Sequence, residues 1–171
     1  TSRMGDRAAY SKFIMKDLAS HIETDFVLCV QWDGYILNGQ NWSDDFLTVD
    51  YIGAPWPQFD DGHDVGNGGF SLRSRRLLEA CADPRVDGNE PEDLAICRSS
   101  RPLLESEYGI RFADYELASR FSYERSAAQG HEFGFHGAFN LAGVTPRSEN
   151  RKIIASLDTG VLRRSDTIEL L

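Results

Sequence analysis

Val65-Gly66-Asn67-Gly68-Gly69-Phe70-Ser71-Leu72-Arg73-Ser74 is the stretch on which the fold turns. Glycines at 66, 68 and 69 let backbone pass close to a bulky neighbour, because a residue without Cβ admits both positive φ and close approach. The alternation Phe70-Ser71-Leu72 predicts a strand, and Ser74 is placed to cap a helix bearing Leu77, Leu78 and Cys81. Three glycines are more than the start of a strand requires for folding alone. The plainer alternative is a flexible hairpin loop or a β-bulge.

Upstream, Phe26-Val27-Leu28-Cys29-Val30 reads as a strand buried on both faces, ending at Gln31-Trp32-Asp33-Gly34. Before it, Tyr10, Phe13, Ile14, Leu18 and Ile22 fall near helical spacing, so the spacing predicts an amphipathic helix over 8–21. Tyr35-Ile36-Leu37 continues the strand briefly, and Trp42 to Phe46 suits one helical turn. Tyr51-Ile52-Gly53-Ala54 is a short strand stopped by Pro55 and Pro57, and Gln58 to Asn67 reads as a mobile loop.

Downstream, Pro91 fits the first turn of a helix, with Glu92 and Asp93 beside the positive end of its dipole. Leu94, Ile96, Cys97, Leu103 and Leu104 extend that helix, which Pro102 must kink or split. Ile110-Arg111-Phe112 and Phe121-Ser122-Tyr123 read as edge strands around a short helix at 115–118. Phe133-Gly134-Phe135-His136-Gly137 is a second aromatic-glycine stretch, and Ile153, Ile154 and Leu157 predict one packing helix in the tail. Short strands interleaved with helices indicate an α/β fold.

The chain has 171 residues, 41% of them hydrophobic and 26% charged, which suits one globular domain with a real core. That domain spans 1–171, with its core at 8–145 and a C-terminal packing segment at 146–171. A net charge of −9 argues against nucleic acid and against docking on an anionic membrane by bulk charge. Arg73, Arg75 and Arg76 still make a local basic cluster. The longest apolar run, 26–30, is too short to cross a bilayer. Cys29, Cys81 and Cys97 fit neither a disulfide framework nor a zinc site, so free buried thiols are expected, in the cytoplasm, whether free or peripheral to the membrane.

Asp33 stands where a strand gives way to a turn, the place where ligands collect in open α/β sheets. A hard cation such as Mg²⁺ or Mn²⁺ takes few protein carboxylates there and fills its remaining positions from phosphate and water. The alternative is that Asp33-Gly34 is simply a good turn pair. His136 is a candidate second ligand, against the alternative of a packed, hydrogen-bonded imidazole. Glu92 and Asp93 offer a general base, against routine capping. The acidic run 60–64 lacks the alternation and closing glutamate of a calcium loop. Dinucleotide, P-loop and nucleophile-elbow patterns do not occur.

Taken in order, Tyr10-Ser11-Lys12-Phe13, Asp25-Phe26-Val27-Leu28, Gln31-Trp32-Asp33-Gly34, Tyr51 to Pro57, Gly66 to Ser74, Pro91-Glu92-Asp93 and Phe133 to Gly137 resemble a family of mostly bacterial domains of unknown function found among glycan-biosynthesis proteins. That resemblance runs over about 10–140, and the order of the motifs is also similar to inverting glycosyltransferases of the GT-A fold. The similarity to the GT-A enzymes implies a GT-A-like (Rossmann-related) mixed sheet with flanking helices. It also implies transfer of a sugar from a nucleotide-sugar donor to a hydroxyl of a glycan or glycolipid acceptor. By it Asp33 and His136 take the metal, Gly68 and Gly69 form the acceptor floor with Asn67 and Arg73 beside it, and Asp93 is the base with Glu92 next to it. Trp32, Trp56 and Phe135 would stack on sugar rings. Two departures stand out. Position 31 is Gln where the metal motif of those enzymes has a first Asp, and by the same resemblance most of an N-terminal nucleotide-binding half would be expected ahead of Thr1. On that reading the 171 residues bind nucleotide sugars poorly alone and leave an exposed sheet edge. A glycan-binding module without turnover and an assembly domain of a polysaccharide-synthesis system are the alternatives.

Overall fold

The computed structural model describes residues 6–86, 88 and 91–157. The chain opens on α1 (Arg7–Lys12), which passes without a break into a π-type stretch, Phe13–Asp17, and a 3-10 turn, Leu18–His21. Asp6 caps it, its carboxylate accepting from the Ala9 N–H at 2.8 Å. The helix expected over 8–21 is there, wound at three pitches. Next come β1 (Phe26–Val30), β2 (Tyr35–Ile36), 3-10 turns at Gly39–Asn41 and Asp44–Thr48, β3 (Tyr51–Ile52), β4 (Ala54–Pro55), β5 (Val65–Gly66) and β6 (Phe70–Ser74). The second half carries α2 (Arg75–Ala80), α3 (Glu92–Leu94) with a π-type continuation (Ala95–Ser99), α4 (Arg101–Tyr108), α5 (Tyr115–Phe121), β7 (Ser122–Tyr123), β8 (Gly134–Phe135), α6 (Ala138–Val144) and α7 (Arg147–Ser156). The fold is mixed α/β, with three small sheets and seven α-helices among the described residues.

The first sheet has the order β1-β6-β3 and is antiparallel throughout, with Phe26 opposite Ser74 and Val30 opposite Phe70. Its central strand is β6, buried along its whole length. The burial on both faces expected of 26–30 belongs instead to 70–74. As an edge strand, β1 leaves Val30 47% exposed and buries only Cys29. Alternation along β6 sends Phe70 and Leu72 into an aromatic core with Phe46, Phe121 and Phe133. Ser71 and Arg73 therefore share the opposite face, toward Glu92.

The second sheet, β2-β8-β7, positions most of the polar chemistry. β7 runs parallel to β8, so the residues that follow them, Glu124 and His136, emerge at the same end. β2 runs antiparallel to β8, which brings its start, and hence the Asp33-Gly34 turn, to that end as well. Backbone hydrogen bonds stitch the corner together: His136 N–H to the Tyr123 carbonyl at 3.0 Å, and Gly137 N–H to the Asp33 carbonyl at 3.1 Å.

Several elements differ from the sequence reading for local reasons. Val65 and Gly66 are not loop; they pair with Pro55 and Ala54, and Gly66 is there because a Cβ would come within 2.2 Å of the Trp56 ring. The helix after Pro91 splits at Ser100, with Pro102 in the first turn of α4, as the proline requires. Ile110-Arg111-Phe112 makes one parallel bridge, Phe112 to Tyr51, and α5 extends through Phe121, leaving only 122–123 as strand. Nothing in the sequence flagged α6, which contains Gly143 and Val144. The tail helix, α7, is present as expected; residues 158–171 of the packing segment lie outside the described residues. All three cysteines are free and buried. Among the described residues no helix is long and apolar enough to cross a membrane.

Candidate functional site

His136 lies between two carboxylates. Its Nε2 is 3.2 Å from Asp33 Oδ1 and its Nδ1 is 3.2 Å from Glu124 Oε1. The three side chains are 14%, 12% and 16% exposed, respectively. Both neighbours only accept when ionised, so two hydrogen bonds require a proton on each ring nitrogen. Burial opposes that charge, but the hydrogen bonds and charges of Asp33 and Glu124 outweigh it and push the His136 pKa up to about 9. The Asn140 amide fixes the same corner from the α6 side. Its Nδ2 donates to the His136 carbonyl at 2.7 Å and to the Glu124 carbonyl at 2.9 Å. Gly137, at φ +103°, makes the turn into α6 that a side chain would resist.

The glycine pair sits against this corner. A Cβ on Gly69 would come 2.1 Å from His136 Nε2, and one on Gly68 would come 1.8 Å from Glu92 Oε1. Asn67, at φ +71°, shapes the approach, its Oδ1 accepting from the Gly69 N–H at 3.1 Å. The Cβ-side space at both glycines is filled by the protein's own imidazole and carboxylate. On that side Gly68-Gly69 is a close-packed ridge rather than the open floor the resemblance implies.

Beyond Gly68 lies a buried polar network. Arg73 is fully buried; its Nη2 pairs with Glu92 Oε1 at 3.0 Å and its Nε donates to Ser71 Oγ at 2.9 Å. Its Nη1 has no hydrogen-bond partner among the described residues. Asp93 Oδ2 accepts from the Gly68 N–H at 3.3 Å and its Oδ1 from the Leu94 N–H at 2.9 Å. Burial, and then the Glu92 charge, raise the Asp93 pKa. Both acids thus reach Gly68, although a helix separates adjacent side chains by about a hundred degrees. They can because Gly68 offers its bare Cα side to one and its N–H to the other.

Of the residues expected to contact substrate, Asn67, Arg73, Trp56 and Phe135 are buried. Phe135 stacks between Tyr35 and Tyr123, with centroids at 5.8 and 5.7 Å, and Trp56 packs edge-on against Phe59. These rings hold core positions with no face for a sugar. Trp32 is half-buried against the Tyr123–Phe135 cluster and keeps accessible surface. Gln31 is partly buried, and its N–H donates to the Gly69 carbonyl at 2.8 Å. Glu124 and Asn140 escaped the sequence reading altogether. Their signal is tertiary, since only the parallel pairing of β7 with β8 brings Glu124 to the ring.

Among the described residues no group of three or more His, Cys, Asp or Glu side chains is placed to hold a metal. Asp33 Oδ1 and His136 Nε2, 3.2 Å apart, fit two neighbouring positions on one hard ion whose ligand distances are about 2.1 Å. The donor set, one carboxylate and one imidazole, suits Mn²⁺ better than Mg²⁺, with the other positions left to phosphate and water. Residues 1–136 match the family described as "Protein of unknown function (DUF5672)", and the chain belongs to that family. No curated protein and no solved structure matches the chain.

Proposed function

We propose that this DUF5672 domain is a GT-A-like glycosyltransferase domain. It moves a sugar from a nucleotide-sugar donor to a hydroxyl of a glycan or glycolipid acceptor, with inversion and with help from a divalent cation. One observation carries the reading: of the consecutive residues Gly68 and Gly69, the first is touched by Glu92 and Asp93 and the second by His136. A candidate base and a candidate metal pair therefore meet on two residues of backbone.

In this mechanism Asp93 takes the proton from the acceptor hydroxyl as its oxygen attacks the anomeric carbon, and the bond from that carbon to the diphosphate oxygen breaks. Glu92 is no competitor for the role, because its carboxylate is engaged in the ion pair with buried Arg73. The raised pKa of Asp93 makes it a stronger base than an exposed aspartate. A Mn²⁺ or Mg²⁺ on Asp33 and His136 would supply neutralisation of the departing diphosphate. Trp32 offers the ring on which a sugar can stack.

A second reading, a glycan-binding module without turnover, draws support from Gln31, an amide where the metal motif of the transferases has an acid. Thermal shift of the full-length protein with Mn²⁺ and a panel of nucleotide sugars, followed by a transfer assay on acceptor glycans, separates the two. Metal-dependent stabilisation by one donor and release of its nucleoside diphosphate support the transferase. Stabilisation by glycans alone, with no donor effect, supports the module and ends the transferase reading.

A further inference from the structure

We infer that Glu124 is a positioning residue for the cation: it holds His136 by Nδ1 so that Nε2 is the nitrogen presented beside Asp33. The inference rests on the reading of Asp33 and His136 as metal ligands. Three observations carry it. Glu124 Oε1 stands 3.2 Å from Nδ1 while Asp33 Oδ1 stands 3.2 Å from Nε2, so the ring's two nitrogens have separate carboxylates. The Glu124 backbone is tied to the His136 backbone by the Asn140 amide, which donates to both carbonyls. A Cβ at position 69 would collide with Nε2, so the ring edge that faces Asp33 lies flush against Gly69.

A histidine that ligates through one nitrogen commonly donates its other N–H to a carboxylate, which fixes the tautomer and the ring plane. Here His136 would hold a cation beside Asp33 through the Nε2 lone pair, after giving up its Nε2 proton to solvent. The Nδ1 proton stays on the Glu124 hydrogen bond. Without that acceptor, the neutral ring is free to place its remaining proton on Nε2, where it blocks the metal. Glu124 touches neither cation nor substrate in this arrangement; it acts through the ring.

The test is Mn²⁺ binding to the whole chain, read as the loss of free-Mn²⁺ signal in electron paramagnetic resonance. The proteins are the wild type, Asp33→Ala, Glu124→Gln and Glu124→Leu. Near-ultraviolet circular dichroism reports whether each variant keeps its packing. Wild type binds; Asp33→Ala abolishes binding. Glu124→Leu weakens it by roughly 10–100-fold, the usual cost of losing such an outer carboxylate. Glu124→Gln keeps an acceptor oxygen and falls between the two. In the protein loaded with diamagnetic Zn²⁺, which takes imidazole readily, long-range ¹H–¹⁵N spectra show the Nδ1 proton of His136 held in a hydrogen bond in wild type and exchanging fast with solvent in Glu124→Leu, a change that a merely structural role would not produce. If both folded Glu124 variants bind Mn²⁺ like wild type while Asp33→Ala does not, Glu124 has no such role and the metal pair stands. If wild type binds no better than Asp33→Ala, the metal pair itself falls, and Glu124 with it. Should Glu124→Leu lose its packing, Glu124→Gln alone decides, by the same two outcomes.

Discussion

The imidazole of His136 occupies the space that a side chain at position 69 would need: a Cβ on Gly69 lies 2.1 Å from Nε2 and 2.4 Å from the two flanking ring carbons. Glycine at 69 is therefore a condition for the Asp33–His136 contact. The obstacle is a ring held at both nitrogens, not the loose end of a flexible chain.

Gly69→Ala should expel His136 from its place. Overpacking of this kind costs about 1–3 kcal/mol of stability, and the variant should lose Mn²⁺ binding as thoroughly as Asp33→Ala does. Denaturant unfolding and a metal titration on the same sample check both halves. A Gly69→Ala protein of wild-type stability and metal affinity would show that the ring can move aside without consequence.

Glu92 and Arg73 form a buried ion pair, and removing one partner strands the other. Glu92→Gln should destabilise the fold by roughly 3–5 kcal/mol. Arg73 already has one nitrogen without a partner, and its other nitrogens rest on Glu92, Ser71 and the Gly68 carbonyl. The double change Arg73→Met with Glu92→Leu should recover much of the loss, since neither charge is then buried. Urea unfolding of the single and double variants measures the coupling, and strictly additive losses would count against the pair as described.

Stability should fall as the solution is made alkaline, through His136. The folded ring keeps its proton to about pH 9, while its ordinary value is 6.5. Below pH 6.5 both folded and unfolded chains carry the proton, and the full contribution is present. Between 6.5 and 9 the unfolded chain releases it first, so the contribution shrinks, and above about 9 it is gone. The gap corresponds to on the order of 3 kcal/mol. Urea midpoints of the metal-free protein from pH 6 to 9.5 should show this decline, and His136→Gln should flatten it. Equal slopes in the two proteins would mean that the ring is not held charged.

Local signals made much of this legible. The Asp33-Gly34 turn, the Ser74 cap, the split at Pro102 and the close-approach glycines all follow from the chemistry of single residues or their neighbours. Which strand is central did not follow, because an apolar pentapeptide such as 26–30 reads as buried whether it lies in the middle of a sheet or at its edge. The site was half visible. Asp33 and His136 sit beside recognisable turns and glycines, but Glu124 reaches the ring only through a two-residue parallel pairing with no sequence period to announce it. The aromatics misled for a related reason: a tryptophan or phenylalanine near glycine suits a sugar platform and a tight core equally, and at Trp56 and Phe135 the core won.

Asp93→Asn is the sharpest test of the chemistry, because stability and activity should move in opposite directions. Burial and the neighbouring Glu92 charge raise the Asp93 pKa, so its ionised form is disfavoured by the fold near neutral pH. A neutral amide of the same shape removes that burden, and its oxygen can still accept a backbone N–H from Gly68 or Leu94. The variant should be as stable as wild type or slightly more so, the usual mark of a functional group held at some cost to the fold. Transfer to the acceptor should nonetheless drop by roughly a hundredfold or more, with donor binding spared, since the amide cannot take the proton. Glu92→Gln should do the reverse, losing stability first and activity only as the fold loosens. If Asp93→Asn keeps full transfer while folded Glu92→Gln loses it, the two acids exchange roles; if both retain it, no carboxylate at this helix acts as the base.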